Sequence, residues 1–362
     1  MTGARFRLAA LVLGLLCLGG SAAAAFIDPA AFYAGWLAGF LFWIGLSLGA
    51  LMLLMAHDLT GGRWGEAARP ALAAATATMP LSALAAFPLL GGLDLIYPWL
   101  RPATAAQLHN VFYLNLDFFL IRSGIYLVIW TVLALLALQP VPADAGNRVA
   151  VRWSSPPGLI LAAVTASFSA FDWSMSLQPR WHSEIYGLIV TFADLEGALA
   201  LATLLTIVAL RPDSARLNDL GSLLLVGLSL WGYVAYMQFM IIWEENLPDE
   251  IGWYLDRIAG GWLALTCLVA ALAVGLPFFI LVWWPLKRRP ASVMMATVML
   301  LLGYLAIDWW LVFPGLHTAF GWPAGTALVG IGGVWLALFH WRFERGRLLP
   351  AFLPGLIGGK HA

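Results

Sequence analysis

Charge is the scarcest property of this sequence. Only 10% of its 362 residues are Asp, Glu, Lys or Arg, while 62% are hydrophobic. A soluble domain carries roughly 25% charged residues, so a soluble globular fold is excluded. Signals for nucleotide binding, nucleophilic catalysis and nucleic-acid binding are absent. Cysteine is nearly missing as well. Cys17 and Cys267 stand alone inside apolar runs, too few for an iron–sulfur cluster, and no CxxCH is present for covalent haem. Both read as small core residues. No two histidines share one helix at ligand spacing, so this chain is expected to bind no metal and no haem of its own.

Long apolar runs fill the space that charge leaves. Ten can be placed, at about 7–26, 32–56, 70–91, 116–138, 157–172, 185–210, 218–243, 259–285, 291–313 and 323–341. Runs of this length span as helices, not as barrel strands. The expectation is an all-α integral membrane protein of about ten transmembrane helices, with residues 1–362 forming a single polytopic domain. The fifth run is short for a span and should extend at one end. Residues 92–115, rich in Pro, Trp and Tyr, read as a surface or interfacial connection. The first run follows Arg5 and Arg7 and ends near Ala22-Ala23-Ala24, which resembles a signal-peptide cleavage site. Its length favours an uncleaved helix. The Trp and Tyr residues fit aromatic belts at two interfaces.

Basic residues set the orientation. Placing both termini in the cytoplasm gathers Arg5, Arg7, Arg63, Arg69, Arg148, Arg152, Arg211, Arg216, Lys287, Arg288, Arg289, Arg342, Arg345, Arg347 and Lys360 on the inner side. The outer side keeps only Arg101, Arg180 and Arg257. A short repeat also shows: the fifth helix ends in Ala170-Phe171-Asp172-Trp173 and the ninth in Ala306-Ile307-Asp308-Trp309. On that match, residues of about 32–175 and 185–313 form two four-helix units of the same orientation, related by an axis along the membrane normal. The helix at 323–341 follows them.

The stretch Ala170–Ala200 carries the chemistry of most interest. A helix entering the membrane near Glu184 places Asp194 about 15 Å deep at ~1.5 Å per residue, near the middle of a ~30 Å hydrocarbon layer. A charge there costs roughly 2.5–3.5 kcal/mol on insertion scales, so the group needs a partner, a water-filled cavity or a proton. Asp194 and Glu196 are two residues apart, which turns them ~200° from each other on a helix. They read either as stations of a proton relay or as buried packing carboxyls. Asp172 and Asp308, near the outer helix ends, read as the mouth of a polar path or as helix-end carboxylates. Arg122 lies inside the fourth helix and should find a carboxylate, with Asp172 and Asp194 as candidates; binding a quinone carbonyl or a lipid headgroup is the other reading. His182 sits in the polar loop beside Trp181 and Glu184. His57 and Asp58 close the second helix, where His57 reads as an interfacial cap. Glu244, Glu245, Asp249 and Glu250 form an acidic connection, either a solvated loop or a docking surface for an extracytoplasmic partner.

Three segments resemble a known family. They are FDWxMSLxPxWxSxIYG at Phe171–Gly187, QFxIIWxxNLPxEIxWYLxR at Gln238–Arg257, and AFIDPxxFYxxxLxxFLFWxGLxLGxLxLLMxHxLTGGRWG at Ala25–Gly65. They are similar to the polytopic membrane subunits of bacterial alternative complex III, a quinol:cytochrome c oxidoreductase. Among these subunits the similarity is to the ActF group, relatives of the NrfD-type membrane subunits, and it covers nearly the whole chain. The resemblance implies ten helices around two four-helix bundles in a bacterial inner membrane. It implies as partners an NrfD-like quinone-binding sister subunit, an iron–sulfur subunit, multihaem cytochrome c subunits and small membrane subunits. Haem c and iron–sulfur clusters then belong to those partners, and quinone is the one cofactor left open for this chain. The function expected is a non-redox scaffold with a proton-conducting path. The alternatives are a quinone-binding subunit in its own right and a secondary transporter built of two repeats.

Overall fold

The protein is described by a computed structural model covering residues 3–105, 110–139, 153–316, 318 and 320–352. Arg148, Arg152 and Lys360, which entered the charge comparison, lie outside the described residues.

All regular structure among the described residues is helical, and ten helices are long and apolar enough to cross a membrane. They are α1 (Gly3–Ile27), α2 (Pro29–Thr60), α3 (Arg63–Gly91), α4 (Leu116–Ala137), α5 (Ser155–Leu177), α6 (Tyr186–Leu210), α7 (Ser214–Glu245), α8 (Trp262–Val282), α9 (Pro290–Leu316) and α10 (Trp322–Arg345). Each answers to one of the ten apolar runs. The fifth does extend, through Trp173 and a final 3₁₀ turn at Met175–Leu177.

The ends follow from local chemistry. Asp28 caps α2, accepting from the Ala31 N–H at 3.1 Å ahead of Pro29. Asn115 caps α4 through the Phe118 N–H at 2.9 Å, and Asp213 caps α7 through the Arg216 N–H at 2.8 Å. Each side-chain oxygen satisfies a helix-start donor that has no carbonyl four residues back. Asn246, at φ 49°, closes α7 in the left-handed conformation that Asn tolerates better than most side chains. A short amphipathic helix, Pro248–Ile258, then links α7 to α8.

Burial separates the interior helices from the peripheral ones. The apolar window of α2 is 83% buried, while those of α1 and α8 are 17% and 22% buried. So α2 is surrounded by protein, and α1 and α8 present most of their apolar surface outward, as lipid-facing helices do. Helix α8 carries a π segment at Ala270–Gly275 just ahead of Pro277. Proline offers no N–H to the carbonyl four residues back, here Ala273, so the helix widens at that turn.

Residues 92–115 differ from expectation. Instead of lying wholly at the surface, this connection sends Tyr97 and Trp99 into the interior, each 2% exposed. Tyr97 Oη donates to the Trp173 carbonyl and Trp99 Nε1 to Ser176 Oγ, both at 3.2 Å. Amphipathic rings bury well when their single polar atom finds a partner. Burial, with the Asp172 charge nearby, raises the Tyr97 phenol above its ordinary pKa.

Candidate functional site

The site forms where α2, α6 and α9 meet. Gly45 and Gly49 of α2 face Asp194 of α6, and a methyl group built on Gly45 would overlap Asp194 Oδ1 and Tyr304 Oη. The two glycines therefore let α6 bring a carboxylate against the α2 backbone. Tyr304 of α9 donates to Asp194 Oδ1 at 2.8 Å, and its hydroxyl also lies 3.2 Å from the Phe42 carbonyl.

Asp194 borders a cavity of about 40 Å³, shared with Asp308, Ser169, Ser174 and Tyr304. That volume is enough for a water molecule, and the lining supplies the several polar partners a buried water needs. Asp308 is 8% exposed, and its Oδ2 has no hydrogen-bond partner among the described residues.

Glu196 points elsewhere, as its two-residue offset from Asp194 requires. It lies against Gly227 of α7, where any Cβ would overlap its Oε2. It borders a second, much smaller void of about 10 Å³ with Trp231, Ala273 and Tyr304. Both Glu196 oxygens and the Trp231 indole N–H are buried without partners among the described residues. Ala273, in the π segment of α8, forms part of this wall. Tyr304 lines both voids, together with Ala193 and Ile307, so these three side chains lie between the Asp194–Asp308 cavity and the Glu196 void. Composition alone does not single out Tyr304 among nine tyrosines; its place four residues before Asp308, on the same helix face, was the available signal.

Asp172 takes a different part. It is fully buried and bound three times: Arg122 donates from Nε at 2.9 Å and from Nη2 at 2.7 Å, and Tyr126 Oη donates at 2.8 Å. Its neighbours Ser169, Ala170, Trp173 and Ser174 line the cavity, but Asp172 does not. Of the two carboxylates open to Arg122, the fold supplies Asp172. The guanidinium also donates to the Tyr113 carbonyl at 3.1 Å and stacks on the Tyr113 and Phe118 rings.

His182 is exposed and takes no part in the cavity. Glu244 and Glu245 are exposed at the end of α7, and Glu250 is half-buried on the linking helix. The side chain of Asp249, on the same helix, lies outside the described residues. At the opposite end of α2, Asp58 accepts from Arg69 Nη1 at 2.7 Å and from Ser155 Oγ at 3.2 Å. His57 stands 3.1 Å from the Gly62 carbonyl, which opens α3, and 3.3 Å from Arg69, so it ties α2 to α3.

Two polar groups take parts the sequence did not assign: Ser47, and Arg257, which the charge comparison counts among the outer-side basic residues but which is buried. Ser47 joins Thr78, Ser82 and the Trp335 indole in a hydroxyl cluster, at 2.9, 3.0 and 2.9 Å. Arg257, 1% exposed, lies over the Trp253 ring and donates to the Trp310, Leu311 and Trp253 carbonyls and to Gln178 Oε1. Pro314 explains the first of these bonds: lacking an N–H, it leaves the Trp310 carbonyl without its helical partner, and Arg257 Nε supplies one at 3.0 Å. Burial pulls the guanidinium pKa down, and the ring of carbonyl dipoles opposes that cost. No group of three or more metal-ligating side chains is found among the described residues.

No protein-family model and no curated protein matches this sequence.

Proposed function

We propose that this chain is a non-redox, proton-handling membrane subunit of a quinol-oxidising complex of the alternative complex III type. In this reading it sits in a bacterial inner membrane with both termini cytoplasmic and the Pro248–Ile258 end outside. Its two four-helix units are α2–α5 and α6–α9. The three motif segments and the one-sided distribution of Arg and Lys support the assignment. The observation that carries the chemistry is the buried acid cluster. Asp194, Asp308 and Glu196 surround one phenol, and none of the three meets a base among the described residues, unlike Asp172. A charge that deep without a counter-ion is costly, so such carboxyls are kept for exchange of protons more often than for stability.

In this reading the chain supplies protonatable stations and leaves redox chemistry to its partners. Those partners are an NrfD-like quinone-binding subunit, an iron–sulfur subunit, multihaem cytochrome c subunits and small membrane subunits. Quinol oxidation there releases protons and electrons together. This chain holds protons at Asp194, Asp308 and Glu196, with the Tyr304 hydroxyl bonded to Asp194. The exposed Glu244 and Glu245 face the extracytoplasmic partners.

The test is Asp194→Asn with Glu196→Gln in the purified complex, reconstituted into vesicles. Assembly and haem content should be unchanged while protons moved per electron fall. Proton movement equal to the wild type removes the reading, and co-purification of the tagged chain without haem-bearing partners removes the complex.

Quinone binding by this chain is the second reading. One observation favours it: an apolar cleft of about 360 Å³ between α2, α3 and α4, with Phe87, Leu90 and Leu120 exposed at its rim. Its lining offers a quinone headgroup few polar groups, chiefly the Ser123 hydroxyl, which accepts from Trp173 and keeps its own proton to donate. Tyr97 Oη is committed to the Trp173 carbonyl, and Trp173 Nε1 to Ser123 Oγ at 3.0 Å. Arg122, Asp172 and His182 are not among its lining. Photolabelling of Phe87 or Leu120 by a quinone analogue would reinstate this reading.

A further inference from the structure

The two Ala-[Phe/Ile]-Asp-Trp segments differ in place and surroundings. Asp172 is one residue from the α-helical end of α5 at Trp173, whereas α9 runs on to Leu316, about two turns beyond Asp308, so the expected helix end at Trp309 is not found. Asp172 has a base: Arg122 grips both of its oxygens at 2.9 and 2.7 Å, and Tyr126 adds a third donor. Arg257 precedes Asp308 by almost the same distance in sequence as Arg122 precedes Asp172. Its hydrogen bonds, however, go to the carbonyls of Trp310, Leu311 and Trp253 and to Gln178. Pro314 is the local cause, because it creates the unsatisfied carbonyl that holds the guanidinium. Asp308 is left with an unpartnered oxygen, nine-tenths buried, at a cavity that also receives Asp194.

We infer that Asp308 and Asp194 are one proton-sharing pair bridged by water in the cavity of about 40 Å³, and that Asp172, the counterpart of Asp308, is withdrawn from proton exchange by Arg122. This pairing rests on the proton-handling reading and deepens it, but it concerns this chain alone and does not need the complex. The exchange is a simple transfer: a proton leaves one carboxyl oxygen for the bridging water, and the water passes one of its own to the other carboxylate. The Ser169 and Ser174 hydroxyls donate to the Ala166 and Ala170 carbonyls, which leaves their oxygens as acceptors for that water. The titratable groups around the pair are Tyr304, bonded to Asp194, and Tyr186 at the start of α6, which lies within electrostatic reach of Asp308 and of Arg257. Two coupled carboxyls give up their protons as a pair, not as independent sites.

Difference infrared spectroscopy of the purified chain in lipid nanodiscs, titrated in H₂O and D₂O, reads protonated carboxyls directly. Asp308→Asn should remove one carboxyl C=O band and move the titration of the band that remains by about one pH unit or more. Asp194→Asn should do the same to the other band, while Asp172→Asn removes none. If Asp308→Asn does not fold, Asp308→Glu keeps the acid and should shift both bands together. Two bands lost independently, with no effect of either variant on the other, overturn the pairing. A band lost in Asp172→Asn overturns the assignment of roles. Displacement of the bands by sodium at constant pH shows a cation site in place of proton sharing. These outcomes are separate from the fate of the complex, whose failure shows as missing haem partners and leaves the spectra unchanged.

Discussion

Breaking the Arg122–Asp172 pair should be the most damaging single change inside the bundle. Arg122→Met removes the two guanidinium bonds at 2.9 and 2.7 Å and leaves Asp172, with no exposed surface, holding a charge against Tyr126 alone. Removing one partner of a buried pair costs roughly 3–5 kcal/mol, about two to three and a half orders of magnitude in the unfolding equilibrium. The double variant Arg122→Met/Asp172→Leu strands no charge. It leaves the Tyr126 hydroxyl without its acceptor, for about 1–3 kcal/mol, and, like the single variant, the Tyr113 carbonyl without the Arg122 donor. The double variant should therefore be more stable than Arg122→Met by a few kcal/mol. The assay is reversible unfolding of the purified chain in mixed micelles, titrated with a denaturing detergent and followed by tryptophan fluorescence. An Arg122→Met midpoint equal to the wild type, or a double variant less stable than the single one, would refute this account of the pair.

Three further outcomes follow from contacts on other helices. Asp308→Asn should be neutral or stabilising in the same assay, because the wild-type Oδ2 is already without a partner among the described residues; a loss as large as that of Arg122→Met would show an unseen ion pair. Gly227→Ala should cost about 1–3 kcal/mol, since its methyl would overlap Glu196 Oε2, and adding Glu196→Ala should recover part of it; equal costs with and without Glu196 would rule out the contact. Arg257→Met should destabilise by stranding the Trp310 carbonyl, a penalty of about 1–3 kcal/mol. Pro314→Ala in that background should restore stability by supplying the missing N–H. No recovery would mean that Arg257 acts through Trp253 or Gln178.

The ten spans were legible in the sequence because hydropathy and helix period are local properties. The caps at Asp28, Asn115 and Asp213 lie within three residues of the N–H groups they bind. That Asp194 and Glu196 diverge was legible for the same reason: 3.6 residues per turn fixes their angular offset. The interior placement of Tyr97 and Trp99 was not, because a connection rich in Pro and aromatics looks the same at an interface as in a plug. Nor was Tyr304, whose role comes from α2 and α6 arriving at its hydroxyl.

By itself, then, the sequence determined the class of protein, the number and approximate positions of its long apolar helices and the presence of acids in apolar surroundings. It left open which acid would meet a base. Only the tertiary structure made Asp172 a locked ion pair and Asp308 an open carboxyl, although both belong to the same four-residue motif. The physical reason is range. Hydropathy and helix period act over a few residues, whereas the partner of a buried charge is chosen by packing between helices some fifty positions apart, and Arg257 meets the carbonyl that Pro314 leaves open.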